Sequence, residues 1–329
     1  MSDDLVLAGD IGGTKCNLAL FRAYPEALDI VAERTYPSRN FANLDVVVKQ
    51  FVADTGLTAS HACFGVAGAV LGGESQLPNL GWRLSETTLA SALKLNSVKL
   101  INDLEANALG ISTLTPEQLF CLNSGQPRAD GNRALIAAGT GLGMALLIRA
   151  DDGYHVAASE GGHADFAPRN EEEVALWRSL ATRFGRVSIE RVVSGRGLEN
   201  IYAHLKQSGM YEPAWLATRL AASQDPAAVI AEAGASGEAL ICAEALALFL
   251  SAYGAAAGNL ALTGMASGGF YIGGGIAPKL LNSLKNSGFM AAFTDKGRFS
   301  DMLGKMPVRV ILEPRTALHG AAVAALRVV

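Results

Sequence analysis

The chain opens with an apolar run over residues 5–8. The run breaks at Gly9-Asp10-Ile11-Gly12-Gly13-Thr14 and resumes over residues 17–21. Apolar runs of that length on either side of a glycine-rich break predict a strand–turn–strand hairpin. A third strand is predicted over residues 30–36. Leu44, Val47, Val48, Phe51 and Val52 recur on one helical face behind Asn43, whose side chain suits a helix cap. Short apolar runs over 63–67 and 98–101 read as buried strands. The second leads into Asn102-Asp103 and a helix over 104–109.

A polar stretch over 123–133, with Gly, Pro, Asp and Asn, predicts a loop near a domain boundary. After it the opening pattern returns: a strand over 134–138, the turn Gly139-Thr140-Gly141-Leu142-Gly143, and a strand over 144–148. Two strand–glycine turn–strand units predict a duplicated architecture, each half offering one glycine turn to a shared cleft. Asn170 before three glutamates predicts a helix that ends at Gly185, and Asp225-Pro226 starts another. Residues 268–275 form a third glycine-rich strand end, and a strand over 308–312 and a helix over 317–326 close the chain. No Asp, Glu, Lys or Arg occurs over 245–278. Its alanines and glycines, Asn259 and Thr263, and the lack of basic flanks favour a buried core helix followed by a strand over a membrane span.

Composition narrows the partners. Hydrophobic residues make up 50% of the 329 and charged ones 18%, enough to bury a large core. Lys and Arg number 27 against 31 acids, for a net charge of −4, and no basic block occurs. A nucleic-acid or anionic-membrane partner is therefore disfavoured. Acids stand at the N-terminus where a secretory signal has a basic segment, so a cytoplasmic location is expected. Cys16, Cys63, Cys121 and Cys242 are far apart in sequence, which argues against a zinc ribbon, a redox pair or a disulfide framework.

Glycine turns after buried strands let backbone N–H groups converge on an anion. None fits the P-loop pattern, and the first is followed by a strand, not by the helix a dinucleotide fingerprint opens. Asp10 inside a phosphate cradle would repel the ligand unless a cation such as Mg²⁺ stood between them. Its alternative is an Asx turn that stabilises the hairpin. Asn102-Asp103 lies at the carboxyl end of a strand, where open α/β sheets place ligands, although Asp103 could serve only as a helix cap. Glu160-Gly161-Gly162-His163 has the spacing of a di-iron helix. Its central glycines argue for a loop, whose carboxylate and imidazole can hydrogen-bond a polyol. Glu190 by itself reads as one half of a surface ion pair.

Six segments, in order along nearly the whole chain, resemble bacterial glucokinases: residues 7–14, 101–106, 139–143, 159–163, 190–195 and 273–278. The resemblance implies the actin–hexokinase fold, an α/β architecture of two ribonuclease-H-like domains with duplicated sheets and an interdomain cleft. A small domain would span 1–112, completed by about 313–329, and a large one 113–312. It implies ATP held by Gly9, Asp10, Ile11, Gly12, Gly13 and Thr14, by Gly139, Thr140 and Gly141, and by Gly273, Gly274 and Gly275. Asp10 would be the Mg²⁺-side acid, acting through water. Asp103 would be the catalytic base, and Asn102, Asp103, Glu160, His163 and Glu190 would hold glucose. The segment Pro78-Asn79-Leu80-Gly81-Trp82 resembles a substrate-side loop. A homodimer is the family expectation.

Many related sugar kinases and repressors carry a cysteine-rich zinc motif after the E-G-G-H element. Residues 164–170 here hold no cysteine, so the resemblance is to the zinc-free group and no structural zinc is expected. The implied activity is ATP-dependent phosphorylation of glucose to glucose 6-phosphate, the first step of glycolysis. A kinase for fructose or an amino sugar shares every phosphate-side residue, and a sugar-independent ATPase of the same fold is the other alternative. A repressor would need a DNA-binding segment ahead of the first strand, which begins at Leu5.

Overall fold

The computed structural model describes residues 5–24, 28–77 and 79–327, and the chain divides into two compact units. The first comprises Met1–Gln118 and Glu313–Val329, the second Leu119–Leu312. The first crossing falls beyond residue 112, and for a local reason. After helix α3 (below), Ser112 and Thr113 donate back to the carbonyls of Leu109 and Gly110. These bonds continue α3 by one 3₁₀ turn, Ile111–Thr113.

The first unit contains strands β1 (Leu5–Ile11), β2 (Lys15–Ala23), β3 (Leu28–Pro37), β4 (His61–Val66), β5 (Val70–Leu71), β6 (Glu74–Leu77), β7 (Trp82–Ser85) and β8 (Ser97–Asn102). Its helices are α1 (Leu44–Thr55), α2 (Glu86–Leu93) and α3 (Asp103–Gly110). The main sheet has the order β3-β2-β1-β4-β8. The first three strands are antiparallel, and β1, β4 and β8 run parallel. Parallel strands covered on both faces read as continuous apolar runs, and β1 and β4 are buried nearly throughout. Asn43 caps α1 by accepting the Leu44 amide, and Gly56 ends it in the left-handed region. The small sheet β5-β6-β7 follows β4.

The second unit contains β9 (Leu119–Asn123), β10 (Arg133–Ala138), β11 (Leu142–Ala150), β12 (Gly153–Ser159), β13 (Gly269–Gly273) and β14 (Val308–Ile311). Its sheet order is β12-β11-β10-β13-β14-β9. Apart from the added edge strand β9, this repeats the first sheet strand for strand. Two antiparallel neighbours and then two parallel ones surround a central strand, β1 in one unit and β10 in the other. The duplication expected from the recurring glycine hairpins is therefore present in the topology. The polar stretch after β9 lies a few residues beyond the crossing at Gln118–Leu119.

Eight helices complete the second unit: α4 (Glu171–Phe184), α5 (Gly195–Gln207), α6 (Ala214–Ala222), α7 (Pro226–Ser236), α8 (Leu240–Gly264), α9 (Leu281–Asn286), α10 (Phe289–Thr294) and α11 (Ser300–Gly304). Among the described residues α8 alone is long and apolar enough to cross a membrane. Most of it is buried, with Phe249, Tyr253 and Ala257 packed in the core beside Phe270, Phe289 and Phe293. The expected core helix followed by a strand is what α8 and β13 form.

The chain then returns to the first unit as α12 (Thr316–Leu326), which packs on α3, β1 and β4. Gly320 makes the approach to α3 possible. A methyl there would collide with the Ala106 carbonyl oxygen and stand 2.6 Å from the Gly110 nitrogen. Gly320→Ala is expected to cost about 1–3 kcal/mol of stability, because overpacking meets backbone here. It should appear as a lower denaturant midpoint, and an unchanged midpoint would contradict this packing account.

Candidate functional site

In the first unit the glycine turn joins β1 to β2, and its polar groups divide by position. Gly9 is a strand residue paired with Leu18 and Phe64, and a methyl on it would stand 2.6 Å from the Phe64 ring. Ile11 is fully buried, and its carbonyl accepts the Ala67 amide. The Gly12 amide closes the turn on the Lys15 carbonyl at 2.9 Å, and the Gly12 carbonyl accepts from the Ser38 hydroxyl. The amides of Gly13 and Thr14 are the turn's remaining donors. Gly9 and Ile11 thus lie in the core beneath the turn.

Asp10 stands beside that turn. Burial pushes its carboxyl up from the usual aspartate value, partly offset by the Asn17 side-chain amide, which donates to Oδ2 at 3.2 Å. Asn17 is its cross-strand partner on β2, so the β1–β2 register itself positions the donor. On the other side Asp10 pairs with Gly65 of β4, and Gly65 with Ile101 of β8. A methyl on Gly65 would stand 2.8 Å from the Ala106 side chain and 3.8 Å from the Asp103 Cα. The bare glycine therefore lets the start of α3 settle on the same sheet edge as Asp10. Gly65 was not among the expected site residues. Its signal was a single glycine inside a short strand, a mark of close backbone approach.

Asn102 and Asp103 share the helix start. Asn102 is the N-cap residue: its Oδ1 accepts the Leu104 amide at 2.9 Å, and its Nδ2 donates to the Gly68 carbonyl at 3.1 Å. Asp103 is the first helical residue, and its Oδ1 also receives the Leu104 amide, at 2.9 Å. Asn102 is therefore the N-cap residue, and Asp103 shares its hold on the Leu104 amide. In the substrate-side segment, Pro78 lies outside the described residues. The Asn79 Cβ lies 3.5 Å from where a Gly13 methyl would stand, so Asn79 borders the first glycine turn. Trp82 departs from the expectation of a loop side chain. It begins β7, pairs with Leu77 and is 3% exposed in the core.

In the second unit three segments meet at the start of β11. The Leu142 amide donates to Glu190 Oε2 at 3.0 Å, and that oxygen lies 2.6 Å from where a Gly141 methyl would stand. Gly162 packs against the Leu142 carbonyl so closely that a methyl would overlap it. Leu142 therefore joins Glu190 on one side to the Glu160–His163 turn on the other. The two segments also pair directly: Ile189 donates to the Ala164 carbonyl at 2.8 Å, and Phe166 to Val187 at 3.0 Å. Gly161–His163 forms a 3₁₀ turn where the sequence suggested a loop, and the Glu160 and His163 side chains are exposed from it. Arg186 donates to the His163 carbonyl at 2.6 Å and fixes the far end of the turn. Glu190 is accordingly no surface ion pair, and it sits at the second glycine turn with the two expected sugar groups.

That turn adjoins the third. The Gly139 amide closes on the Gly141 carbonyl, and the Gly139 carbonyl accepts the Gly195 amide, each at 2.8 Å. The Thr140 and Gly141 amides take no part in these bonds. Gly273 pairs with Ala137 across the parallel β10–β13 ladder. Gly274 follows at φ +82°, where a methyl would strike the Ala138 carbonyl. Only glycine satisfies both conditions there. Gly275 faces open space.

Each unit thus carries a glycine hairpin on a ribonuclease-H-like sheet with an acidic side chain beside the hairpin turn, the organisation of an actin–hexokinase-fold sugar kinase. The glucokinase family model matches residues 7–328, and the chain belongs to the glucokinase family. It is 41% identical to a glucokinase of Trichormus variabilis over 98% of this chain and 99% of that one. A glucokinase of Synechocystis is 40% identical over 97% of each chain. A crystal structure of a glucokinase from an Antarctic psychrotroph superposes with a TM-score of 0.87, at 31% identity, over 99% of this chain and all of that one.

Proposed function

We propose that the chain transfers the γ-phosphoryl group of ATP to the 6-hydroxyl of glucose. The observation that carries this reading is the shared edge of the first sheet. There the Gly13 and Thr14 amides, Asp10, Gly65 and the start of α3 at Asp103 follow one another across three parallel strands. A donor pair for phosphate and a carboxylate for a hydroxyl proton belong together in phosphoryl transfer, where positioning and charge stabilisation do most of the work.

In this reading Asp103 orients the sugar hydroxyl and takes its proton as the oxygen attacks. Asn102 holds the helix start that aims Asp103. Glu160, His163 and Glu190 accept from and donate to the remaining sugar hydroxyls, and the shared anchor at Leu142 keeps the three in register. Thr140, Gly141 and Gly275 supply the second unit's contacts to the nucleotide. Water is excluded because the site is completed only around sugar. The enzyme is cytoplasmic and works as a homodimer, without nucleic acid or membrane.

Among the described residues no three or more His, Cys, Asp or Glu side chains gather into a metal cage. A cation arriving with the nucleotide needs less: Mg²⁺ binds through one or two carboxylates, water and phosphate oxygens. Asp10, a half-buried carboxylate with a single side-chain donor beside two turn amides, fits that role through water. When bound, Mg²⁺ would neutralise charge on the β- and γ-phosphates. Asp10→Asn is expected to raise the Mg²⁺ concentration needed for half-maximal rate at least tenfold, with glucose binding unchanged. A normal Mg²⁺ requirement at full activity would remove Asp10 from this role.

The raised carboxyl of Asp10 adds a pH dependence. Its charged form is lost as pH falls through a value higher than an ordinary aspartate's, so the Mg²⁺ requirement should climb on the acid side. The Asn17 donor holds that value down. Asn17→Leu should therefore move the acid limb of the rate profile to higher pH, and an unmoved limb would contradict the assignment. The function itself is tested by kcat/KM with ATP across glucose, fructose and amino sugars. Glucose should lead. A preference for another hexose would replace the substrate, and ATP hydrolysis indifferent to sugar would overturn the reading.

A further inference from the structure

Ser38 is fully buried, one residue past β3, and each of its polar groups has a partner. Its amide donates to the Thr14 carbonyl at 3.0 Å, one rung beyond the β2–β3 ladder that ends at Lys15 and Pro37. Its carbonyl accepts the Phe41 amide at 3.2 Å. Its hydroxyl donates to the Gly12 carbonyl at 2.7 Å, 26 residues back in sequence. A serine hydroxyl has a single proton and a carbonyl can only accept. The 3.3 Å contact with Cys16 Sγ is therefore the thiol donating to Ser38 Oγ. Burial pushes the Cys16 thiol above the usual cysteine range, which keeps its proton in place. Thiol, hydroxyl and carbonyl form one directed chain that ends on the first glycine turn.

That chain fixes the peptide between Gly12 and Gly13. A planar trans peptide sets its C=O and N–H on opposite sides, so anchoring the Gly12 oxygen on Ser38 turns the Gly13 N–H away from Ser38. Neither residue has a Cβ, so this peptide is the one in the turn that rotates most freely. Rotated, it would present a carbonyl where the donor should be. The Gly12 amide is already closed on the Lys15 carbonyl, and Ser38 supplies the hold on the other end of the residue. Ser38 is buried below the turn, whereas Gly13 is half-buried and Thr14 exposed.

We propose that Ser38 is a positioning residue for phosphate binding, holding the Gly12–Gly13 peptide so that the turn offers an anion its donor and not its carbonyl. This rests on the reading that the turn takes a phosphate of ATP. When the peptide is free to rotate, the binding-competent fraction falls and phosphate affinity falls in proportion. Ser38 touches no substrate in this account, so it is a positioning residue and not a catalytic one.

Calorimetry of wild type, Ser38→Ala, Ser38→Cys and Cys16→Ala tests this, with Mg·ATP, adenosine and whichever hexose the wild type uses best. Steady-state rates and denaturant midpoints are measured on the same proteins. Ser38→Ala keeps the backbone rung and loses only the hydroxyl. It should raise Kd and KM for Mg·ATP about 5–20-fold, with adenosine and sugar Kd within about twofold. Its kcat should stay within about threefold, since the contact exists before the chemical step. Ser38→Cys carries a weaker donor and should raise the Mg·ATP Kd about 2–5-fold, a readout that serves even if Ser38→Ala does not fold. Cys16→Ala leaves the Ser38–Gly12 bond in place. It should lower the midpoint while the Mg·ATP Kd stays within about twofold. An unchanged Mg·ATP Kd in the Ser38 variants would overturn the proposal. So would an equal rise for adenosine, or a rise in Cys16→Ala as large as in Ser38→Ala, which would tie the effect to stability alone. Failure of the underlying reading shows separately, in the wild type, as Mg·ATP bound no more tightly than adenosine. That result would remove the turn's phosphate role and the role of Ser38 with it.

Discussion

Asp103→Ala is expected to lower kcat by about 10²–10⁴, with ATP binding retained, because a general base acts in the transition state. The structure sharpens the control. Asn102 is the N-cap of α3 and Asp103 shares the Leu104 amide with it, so Asp103→Asn keeps an acceptor for that amide and removes the proton acceptor. Both variants should therefore lose turnover to a similar degree while unfolding near the wild-type midpoint. Calorimetric titration with glucose, alongside the rate, separates the possibilities. Near-full turnover in Asp103→Asn would reduce the residue to part of a helix start. Equal losses in binding and rate would assign it to holding sugar and not to chemistry.

Sugar discrimination gives the second large effect. The segments that carry Glu160, His163 and Glu190 meet around the Leu142 backbone, and in the proposed reading these three side chains hold sugar. A group built to pair with a hydroxyl is left unpaired when an analogue lacks it, at a cost of about 1–3 kcal/mol, or roughly one to two powers of ten in kcat/KM. Deoxy-glucoses that keep the 6-hydroxyl should be poorer substrates by that factor. His163→Ala should narrow the gap for one of them, mainly through KM, since that contact exists before the chemical step. Glu190→Gln should act on a different analogue and also loosen the Leu142 anchor. The comparison is kcat/KM for glucose and each deoxy analogue in the three proteins. If every analogue keeps the same penalty in His163→Ala, the imidazole is structural and Asn79 becomes the first alternative contact.

What was legible in the sequence follows from burial. Central parallel strands are covered on both faces, so β1, β4, β10 and β13 stand out as apolar runs, and the glycine turns beside them mark the hairpins. From these the duplication and the ligand edge followed. Less legible were features set by contacts distant in sequence. Glu190 reaches Leu142 across 48 residues, and nothing in its own neighbourhood distinguishes it from a surface acid. Trp82 follows a proline- and glycine-bearing segment that reads as loop. The strands β5, β6 and β7, only two to four residues long, are too short to show a period, yet they carry Trp82 into the core. The glycine motif residues likewise looked equivalent in sequence. Register separates them: Gly9 and Gly273 lie in strands, and Gly13, Thr14, Thr140, Gly141 and Gly275 lie in the turns beyond them.

The central claim is that this chain moves one phosphoryl group from ATP to carbon-6 oxygen of glucose. Carbon and phosphorus NMR of a reaction with ¹³C-labelled glucose and Mg·ATP tests it most directly. One glucose 6-phosphate is expected per ADP formed, with 6-deoxyglucose neither consumed nor able to drive ADP release. Phosphate appearing as the free ion without sugar phosphate, or a phosphate on any other hydroxyl, would contradict it.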